Sequence, residues 1–334
     1  MSEKLTLDEV EDIARRALMR SGAAALQAGP VAHSIREAEA EGTRGIGLGY
    51  LPYYCRHLEV GKIDGEAVPA LTRPRPAALA VDAHAGFAHP AFRAGEAGLI
   101  ETAREQGLAA LGIRNAYACG VVGYFVDRLA RQGLVALATT NASASMAPWG
   151  GRKPFFGTNP YAFAAPREGA APLVIDSSST ATAKINIINA AAEGRALPPG
   201  WALDAEGRPT TDAQAALAGS VAPAGGHKGA ALALMVEVLS VGLTGSHWSH
   251  LASSLGDDEG GPPRLGQFFL AVDPGLFGAP GFGERLEAML AAMTEEEGVR
   301  LPGARRHANR ARAEAEGVIV EAPFLQELRR LAGE

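Results

Sequence analysis

The sequence has few cysteines, few aromatic residues and no long apolar run. Cys55 and Cys119 are its only cysteines, so neither a disulfide framework nor a cysteine-based zinc site is expected. No stretch approaches the roughly 18 apolar residues of a membrane span. Acids occupy the N-terminal region where a secretory signal needs apolar residues. We therefore expect a cytoplasmic protein with no membrane partner.

Basic residues are also in deficit, because 31 Lys and Arg face 37 Asp and Glu and leave a net charge of −6. This balance argues against the broad cationic surface of a general nucleic-acid binder. Hydrophobic residues make up 47% of the 334 residues and charged residues 20%, which fits a folded chain of two or three domains. Since aromatic residues contribute only 6%, Ala, Val, Leu and Ile must build most of the core.

Hydrophobic periodicity predicts helices and strands that do not alternate strictly. An amphipathic helix is expected over 5–28, with Thr6 and Glu9 at the spacing of a capping box. The proline-bounded stretch 69–76 is predicted to be a linker, and 141–166 a long loop. The pattern indicates an α/β or α+β protein.

A glycine-rich segment, GGHKG at 225–229, precedes a long apolar helix. Successive glycines before a helix can direct main-chain N–H groups toward an anion. Lys228 adds a positive charge suited to phosphate. The alternative is an ordinary helix start with a solvated lysine. The spacing is not that of a Walker loop, so ATP is not expected.

Two further segments suggest a ligand site less strongly. GIGLG at 45–49 resembles part of a dinucleotide fingerprint, but the residues before it are predicted to be helical rather than a strand. A tight backbone turn is therefore the preferred interpretation. Asp176 ends an apolar strand, where ligands meet α/β sheets, although it could also cap the next element.

A polar loop and a basic stretch contain side chains that could bind ions. His247 and His250, with Asp257 and Asp258, could bind a metal, but their surroundings are polar and glycine-rich. A solvated loop is preferred, and no metal is predicted. The arginines within 300–312 could bind a phosphate or form a solvated helix face.

Taken together, these segments resemble the type-2 malate/L-lactate dehydrogenase family, in order and across nearly the whole chain. The segments that match are GLGYLPYYCRHLEVGKIDG (47–65), RQGLVALATTNAS (131–143), APWGGRKPFFGTNPYAFAAP (147–166), PLVIDSSS (172–179), ALPPGWALDAEGRPTTD (196–212), AGGHKGAALALMVEVLSVGLTG (224–245) and RLPGARRHANRARAEAEGVIV (300–320). Within the family, the Δ1-piperideine-2-carboxylate/Δ1-pyrroline-2-carboxylate reductases are the closer match, through 225–245 and 300–306.

The resemblance implies a nicotinamide-dependent oxidoreductase, with NADP(H) favoured over NAD(H). It implies a homodimer with the active site near the subunit boundary. Arg306 would hold the 2′-phosphate of NADP(H). The other residues expected to contact the cofactor are Thr158, Asn159, Pro160, Asp176, Ser177, Ser178, Gly225, Gly226, His227, Lys228 and Gly229.

The implied fold is α/β, or α+β-like, and is not a Rossmann fold. It would contain a mixed, largely antiparallel sheet with flanking helices. Residues 1–75 with 300–334 are expected to form a helical domain for dimerisation and substrate binding. Residues 76–115 with 165–299 would form the NAD(P)-binding domain, and 116–164 a small inserted subdomain.

The sequence departs from the family at several titratable positions. The histidine of the usual Ser-His-Gly is Ile46, and an arginine shortly after it is Tyr50. An aspartate about ten residues after the strand-end acid is Asn186. A further histidine falls near Tyr117 or Ala118. The usual proton donor is therefore absent.

These departures bear on the reaction. Without an acid, reduction of a ketone is slower by a barrier of about 3–5 kcal/mol. A cyclic imine can be protonated in solution before it binds, so we expect NAD(P)H-dependent reduction of a cyclic imino acid that carries a carboxylate. The alternatives are a 2-hydroxy-acid dehydrogenase with a relocated proton donor and a cofactor-binding protein with lost or changed catalysis. The candidate catalytic residues are Tyr50, Tyr53, Tyr117, Lys184 and Asn186.

Overall fold

The computed structural model describes residues 2–334, which form three β-sheets and eleven α-helices. The helices are α1 (Leu7–Arg20), α2 (Ala25–Ala40), α3 (Leu51–Glu59), α4 (Ala88–Gln106), α5 (Gly123–Ala130), α6 (Lys184–Ala192), α7 (Ala213–Leu217), α8 (His227–Glu237), α9 (Phe282–Met293), α10 (Ala304–Glu316) and α11 (Ala322–Ala332). The strands are β1 (Ser2–Leu5), β2 (Ala70–Arg75), β3 (Ala78–Asp82), β4 (Leu108–Ala116), β5 (Val135–Thr140), β6 (Tyr161–Ala165), β7 (Leu173–Ser177), β8 (Ala202–Leu203), β9 (Pro209–Thr210), β10 (Ser220–Val221), β11 (Leu265–Val272) and β12 (Val318–Glu321).

The main sheet has seven strands in the order β2-β3-β4-β11-β5-β6-β7. Every neighbouring pair is antiparallel except β3 and β4. The prediction of a mixed, largely antiparallel sheet that is not a Rossmann sheet is confirmed. Helices α4 and α5 pack on it, and Phe92 lies 4.9 Å from both Phe125 and Phe269 between ring centroids. The few aromatic residues thus meet at the centre of an otherwise aliphatic core.

A helical layer contains α1, α2, α3, α10 and α11 together with the two-stranded sheet β1-β12. The predicted capping box is confirmed, because the Thr6 side chain accepts from the Glu9 N–H and Glu9 accepts from the Thr6 N–H. The single helix predicted over 5–28 is wrong. The chain turns after Arg20 at Gly22, whose φ of 105° a glycine adopts without strain.

Two segments predicted to be irregular contain strands. The stretch 69–76 is β2, an exposed edge strand where Pro74 needs no donor for the sheet. The predicted loop 141–166 contains β6, whose sequence YAFAA is rich in alanine and gives a weak strand signal. Strands β5 and β6 both belong to the main sheet, so 116–164 is not an inserted subdomain.

The small separate unit lies later in the chain. Strands β8, β9 and β10 form a three-stranded sheet, on which α6 and α7 pack around Ile187, Leu197 and Val221. This unit follows β7 directly and places the start of α6 beside the main sheet. In residues 2–334 no helix is long and apolar enough to cross a membrane.

Candidate active site

A cavity of about 520 Å³ lies between α3, the 45–50 turn, the segment after β5 and the start of α6. Three tyrosines, Tyr50, Tyr53 and Tyr54, line one side of it. Lys184 is the only residue with a formal charge at neutral pH among the lining residues in the described part of the chain. The cavity therefore favours a ligand with an apolar body and an anionic group.

The 45–50 turn is held from behind by Glu39. The Leu48 N–H donates to Glu39 Oε1 at 2.8 Å, and a Cβ atom on Gly47 would come within 2.5 Å of the same oxygen. Burial raises the pKa of Glu39 to about 7. The turn follows α2 and presents Ile46, 40% exposed, to the cavity. A helix precedes this turn and not a strand, so the segment is a tight backbone turn, as predicted, and not a dinucleotide fingerprint.

Tyr54 is the lining residue that sequence reasoning missed. Its side chain is only 1% exposed, and its ring meets the rings of Tyr50, Phe87 and Tyr117 at centroid distances of 4.9, 5.4 and 5.9 Å. The signal that was available is its place on α3, one turn after Tyr50.

Tyr117, a predicted catalytic residue, does not line the cavity. It is fully buried, and its hydroxyl donates to His57 Nδ1 at 2.5 Å. His57 Nε2 in turn lies 3.1 Å from the carbonyl oxygen of Asp257. Burial raises the pKa of Tyr117 well above 10 and lowers the pKa of His57. Tyr117 is thus a buried support rather than a group in contact with a ligand.

The start of α6 supplies Lys184 to the cavity but not Asn186. Lys184, Ile185 and Ile188 line it, whereas the Asn186 amide donates to Thr182 Oγ1 at 2.9 Å. The structure therefore does not support the prediction that Asn186 orients a substrate. Its neighbour Asn189 lines the cavity instead.

A loop around Leu255 closes the cavity and is fastened by a buried lysine. Lys62 is fully buried, and its ammonium donates to the carbonyl oxygens of Ser254, Asp257 and Glu259 at 2.6, 2.7 and 2.6 Å. Leu255 and Gly256 lie on the cavity side of this loop. The loop is therefore a fixed wall of the site, which the polar sequence did not predict.

The same loop region is not arranged for a metal ion. His250 stacks on Phe155 at a centroid distance of 4.3 Å, and Asp258 pairs with Arg56 at 2.8 Å. Residues 2–334 contain no group of three or more His, Cys, Asp or Glu side chains that could hold a metal.

The cofactor is predicted to contact three segments, 158–160, 176–178 and 225–229. Hydrogen bonds to main-chain atoms join these segments at Ser179. Its N–H donates to the Thr158 carbonyl at 2.9 Å and its hydroxyl to the Asn159 carbonyl at 2.8 Å. Its own carbonyl accepts from the Ala224 N–H at 2.9 Å. Ser177 and Ser178 were predicted, but the residue that joins the segments is the next one along the chain. Its three bonds are to main-chain atoms distant in sequence, which no local pattern indicates.

Asn159, a predicted cofactor contact, uses its side-chain amide to bind α8. It is fully buried, and its amide donates to the Ala233 carbonyl at 3.0 Å and to Glu237 Oε1 at 2.8 Å. These bonds attach α8 to the 157–160 segment. The flanking residues Thr158 and Pro160 do line the cavity.

The GGHKG segment begins α8 with the geometry of an anion site. Gly225 and Gly226 have φ of 61° and 68°, and no side chain caps the first turn of the helix. A Cβ atom on Gly229 would lie 2.3 Å from the Ala224 carbonyl oxygen and 2.7 Å from that of Ser179. With His227 and Lys228 exposed beside them, the uncapped N–H groups fit a phosphate group.

Asp176 and Arg306 bind each other and are not among the lining residues. Arg306 Nη1 lies 3.0 Å from Asp176 Oδ2 and 3.3 Å from Glu41 Oε2. The Gly123 N–H also donates to Asp176 at 3.0 Å. Because two carboxylates already neutralise this guanidinium, the structure does not support the prediction that Arg306 binds a 2′-phosphate.

Comparison with known proteins agrees with this arrangement. A sequence profile of the malate/L-lactate dehydrogenase family matches residues 5–329. A (2R)-3-sulfolactate dehydrogenase (NADP(+)) of Chromohalobacter salexigens is 46% identical over 332 residues, which are 99% of each chain. A Δ1-pyrroline-2-carboxylate reductase of Burkholderia ambifaria is 39% identical over 97% of this chain and 96% of its own.

The solved structures give the same result. The Δ1-piperideine-2-carboxylate reductase from Pseudomonas syringae superposes with a TM-score of 0.94 at 37% identity, over 98% of this chain and 99% of that one. The fold and the matches together define an NAD(P)-dependent oxidoreductase. The chain belongs to the malate/L-lactate dehydrogenase family, as its ordered motifs predicted.

Proposed function

We propose that the protein is an NADP(H)-dependent reductase of cyclic imino acids of the Δ1-piperideine-2-carboxylate or Δ1-pyrroline-2-carboxylate type. The observation that carries the proposal is the charge of the cavity. In the described chain, Lys184 is the lining residue with a charge, and no carboxylate or imidazole lines the cavity with it. An imine that is protonated before binding needs no strong acid in the site, whereas a ketone does.

The lining residues suit the two ends of such a substrate. The Lys184 ammonium can pair with the carboxylate. Tyr50 and Tyr53, which stack at a centroid distance of 5.2 Å, offer aromatic faces to an iminium cation. Leu255, held by the Lys62 loop, keeps water from the reacting carbon.

Bound NADPH would supply the hydride for this reaction. The N–H groups at the start of α8, with Lys228, are the groups we assign to its phosphates. Thr158 and Pro160 are assigned to the part of the cofactor that enters the cavity. The preference for NADP(H) is supported by the similarity to an NADP(+)-dependent sulfolactate dehydrogenase. It is not supported by Arg306, which pairs with Asp176.

A second candidate is a 2-hydroxy-acid dehydrogenase, because the sulfolactate dehydrogenase is 46% identical. Sulfolactate carries a carboxylate and a sulfonate, and two anionic groups favour two cations. The cavity offers Lys184 alone among its described lining residues. This difference in charge favours the imino acid.

The test measures NADPH consumption with Δ1-piperideine-2-carboxylate, pyruvate and 3-sulfopyruvate as parallel substrates. We expect turnover of the imine to exceed that of both oxo acids. Lys184→Met should raise KM for the imine about tenfold through loss of the carboxylate partner. Lys153→Met, an exposed lysine outside the cavity, is the matched control. Turnover of the oxo acids alone, or cofactor binding without turnover, contradicts the proposal.

The proposal includes a homodimer in the cytoplasm. Leu234 and Met235 on α8, with Val238 just after it, form an apolar stripe with exposures of 54, 47 and 48%. A second copy covering this stripe would place the subunit boundary beside the cofactor segments, since α8 begins there. Light scattering should give twice the chain mass, and Leu234→Glu should halve it. Leu26→Glu, at 51% exposure on α2, is the control, and a monomeric wild type overturns this part. Cell fractionation tests the location.

A further inference from the structure

Tyr54 combines a buried ring with a hydroxyl that reaches the cavity. The residue is 1% exposed, yet it lines the cavity. In residues 2–334 its hydroxyl makes no hydrogen bond to another protein group. A polar atom left without a partner beside a cavity has its bonding capacity available for a ligand.

The hydroxyl lies beside the position where the family has its histidine. The point that a Cβ atom would take on Gly120 is 3.5 Å from Tyr54 Oη and 3.5 Å from Ile46 Cγ2. Gly120 has a φ of 64° and itself lines the cavity, so both side chains lie beside a residue that has no side chain of its own. Ile46 carries no titratable group, and Tyr54 brings an O–H group to the same glycine.

The ring is held so that the hydroxyl cannot turn away. Tyr50, Phe87 and Tyr117 meet it edge to face, with interplanar angles of 70, 89 and 72°. A group fixed in this way needs little reorganisation when it reacts.

The other candidates are committed elsewhere or held in the wrong state. The Tyr50 hydroxyl faces the Leu255 carbonyl at 3.4 Å, and Tyr117 is bound to His57. His89 Nε2 lies 3.9 Å from the same point at Gly120 but pairs with the Ser34 hydroxyl at 2.9 Å. Burial lowers the pKa of His89 to about 3, so at neutral pH its side chain is the neutral imidazole and not the more acidic imidazolium.

We propose that Tyr54 is the relocated proton donor of this site. The inference rests on the proposed function for the hydride step, in which reduced nicotinamide supplies two electrons and one hydrogen. When a 2-oxo acid is reduced, the new C–H bond forms at the carbonyl carbon and the C=O π electrons move to oxygen. The Oη–H bond of Tyr54 breaks, its proton passes to that oxygen, and water returns a proton to the phenolate. An imine that arrives unprotonated takes the same proton on nitrogen.

The environment suits this role. Burial raises the pKa of Tyr54 well above 10, so the hydroxyl keeps its proton across the neutral range. A developing alkoxide is more basic than a phenolate and can remove that proton. An iminium ion has no such need, so the demand on Tyr54 depends on the substrate.

Tyr54→Phe tests the proposal because it removes one oxygen and preserves the ring packing. We expect kcat for pyruvate or 3-sulfopyruvate to fall about 10²–10⁴-fold. The kcat for Δ1-piperideine-2-carboxylate should fall much less than the kcat for the oxo acids at neutral pH, and this fall should grow as the pH rises, because less of the imine is then protonated in solution. NADPH binding, followed by fluorescence, should be unchanged. Tyr124→Phe, which removes a hydroxyl outside the cavity, is the control.

A double variant provides the rescue. Ile46→His in the Tyr54→Phe background returns an imidazole to the same point and should restore oxo-acid reduction. Full oxo-acid activity in Tyr54→Phe overturns the proposal. If the wild type reduces only the imine, an unchanged alkaline profile in Tyr54→Phe overturns it as well. Absence of turnover on every substrate counts against the proposed function, whereas the other two results leave that function standing.

Discussion

Two regions at or beside the cavity, which we name the cofactor wall and the substrate wall, are held together by different kinds of contact. The cofactor wall, residues 157–160, 176–179 and 224–229, is joined by main-chain bonds at Ser179 and by a glycine at 229. The substrate wall, residues 45–54 and 117–120, depends on side chains such as Tyr54 and on the buried groups behind them. Main-chain geometry tolerates little change, whereas side chains can be exchanged within an intact fold. The segments that resemble the family include all three parts of the first wall, whereas the second wall contains Ile46 and Tyr50, where the family usually has a histidine and an arginine.

If the substrate wall depends on buried side chains, its stability should depend on pH, and His89 should give the largest effect. Burial lowers its pKa from 6.5 to about 3, so the unfolded chain binds a proton that the folded chain does not. The stabilisation is complete above pH 6.5 and is lost as pH falls toward 3, on the order of 5 kcal/mol in total.

The measurement is urea unfolding of wild type and His89→Gln over this range. The variant should be less dependent on pH, by about 1.4 kcal/mol per pH unit. His227→Gln changes an exposed histidine on the cofactor wall and serves as the control. Equal slopes for wild type and His89→Gln would show that the imidazole is not held neutral by burial.

Glu39 should act in the opposite direction. Its pKa is raised by burial from 4.5 to about 7, so the folded chain keeps a proton that the unfolded chain loses. Stability is therefore lost as pH rises from 4.5 to about 7, on the order of 3 kcal/mol in total. Glu39→Gln should remove this loss in the same unfolding series, and the exposed Glu66→Gln should not. A Glu39→Gln curve that follows the wild type would refute the assignment.

On the cofactor wall the expected sensitivity is to added volume, and the expected effect is smaller. Gly229→Ala places a Cβ atom 2.3 Å from the Ala224 carbonyl oxygen. We expect a loss of about 1–3 kcal/mol in stability and weaker NADPH binding. Gly29→Ala on α2 meets no atom within 4 Å and should be neutral or slightly stabilising. Unchanged NADPH affinity in Gly229→Ala would separate this glycine from the cofactor site.

Local patterns predicted those features that neighbouring residues determine. The Thr6–Glu9 capping box and the glycine turn before α8 need only short-range geometry. The pairing of Arg306 with Asp176 and Glu41 could not be predicted, because 130 residues of chain separate the first two. Asn159 illustrates the same limit, since the sequence did not indicate that its amide binds the Ala233 carbonyl and attaches α8. A motif locates a polar side chain in the sequence but does not show whether that side chain binds a ligand or another part of the protein.

Residue order alone was enough to predict the family, the mixed-sheet class and the replacement of the usual histidine by Ile46. All three can be read from the order of motifs along the chain, without knowledge of which residues meet in space. Which side chains lie around Ile46 in the cavity depends on the tertiary structure. Folding brings α3, the turn after β4 and the 253–259 loop together, and it leaves Tyr54 facing the cavity while His57 and Lys62 hold the loop. The chemistry of each side chain depends on its burial and its hydrogen-bond partners. Both are set by segments that are distant in sequence.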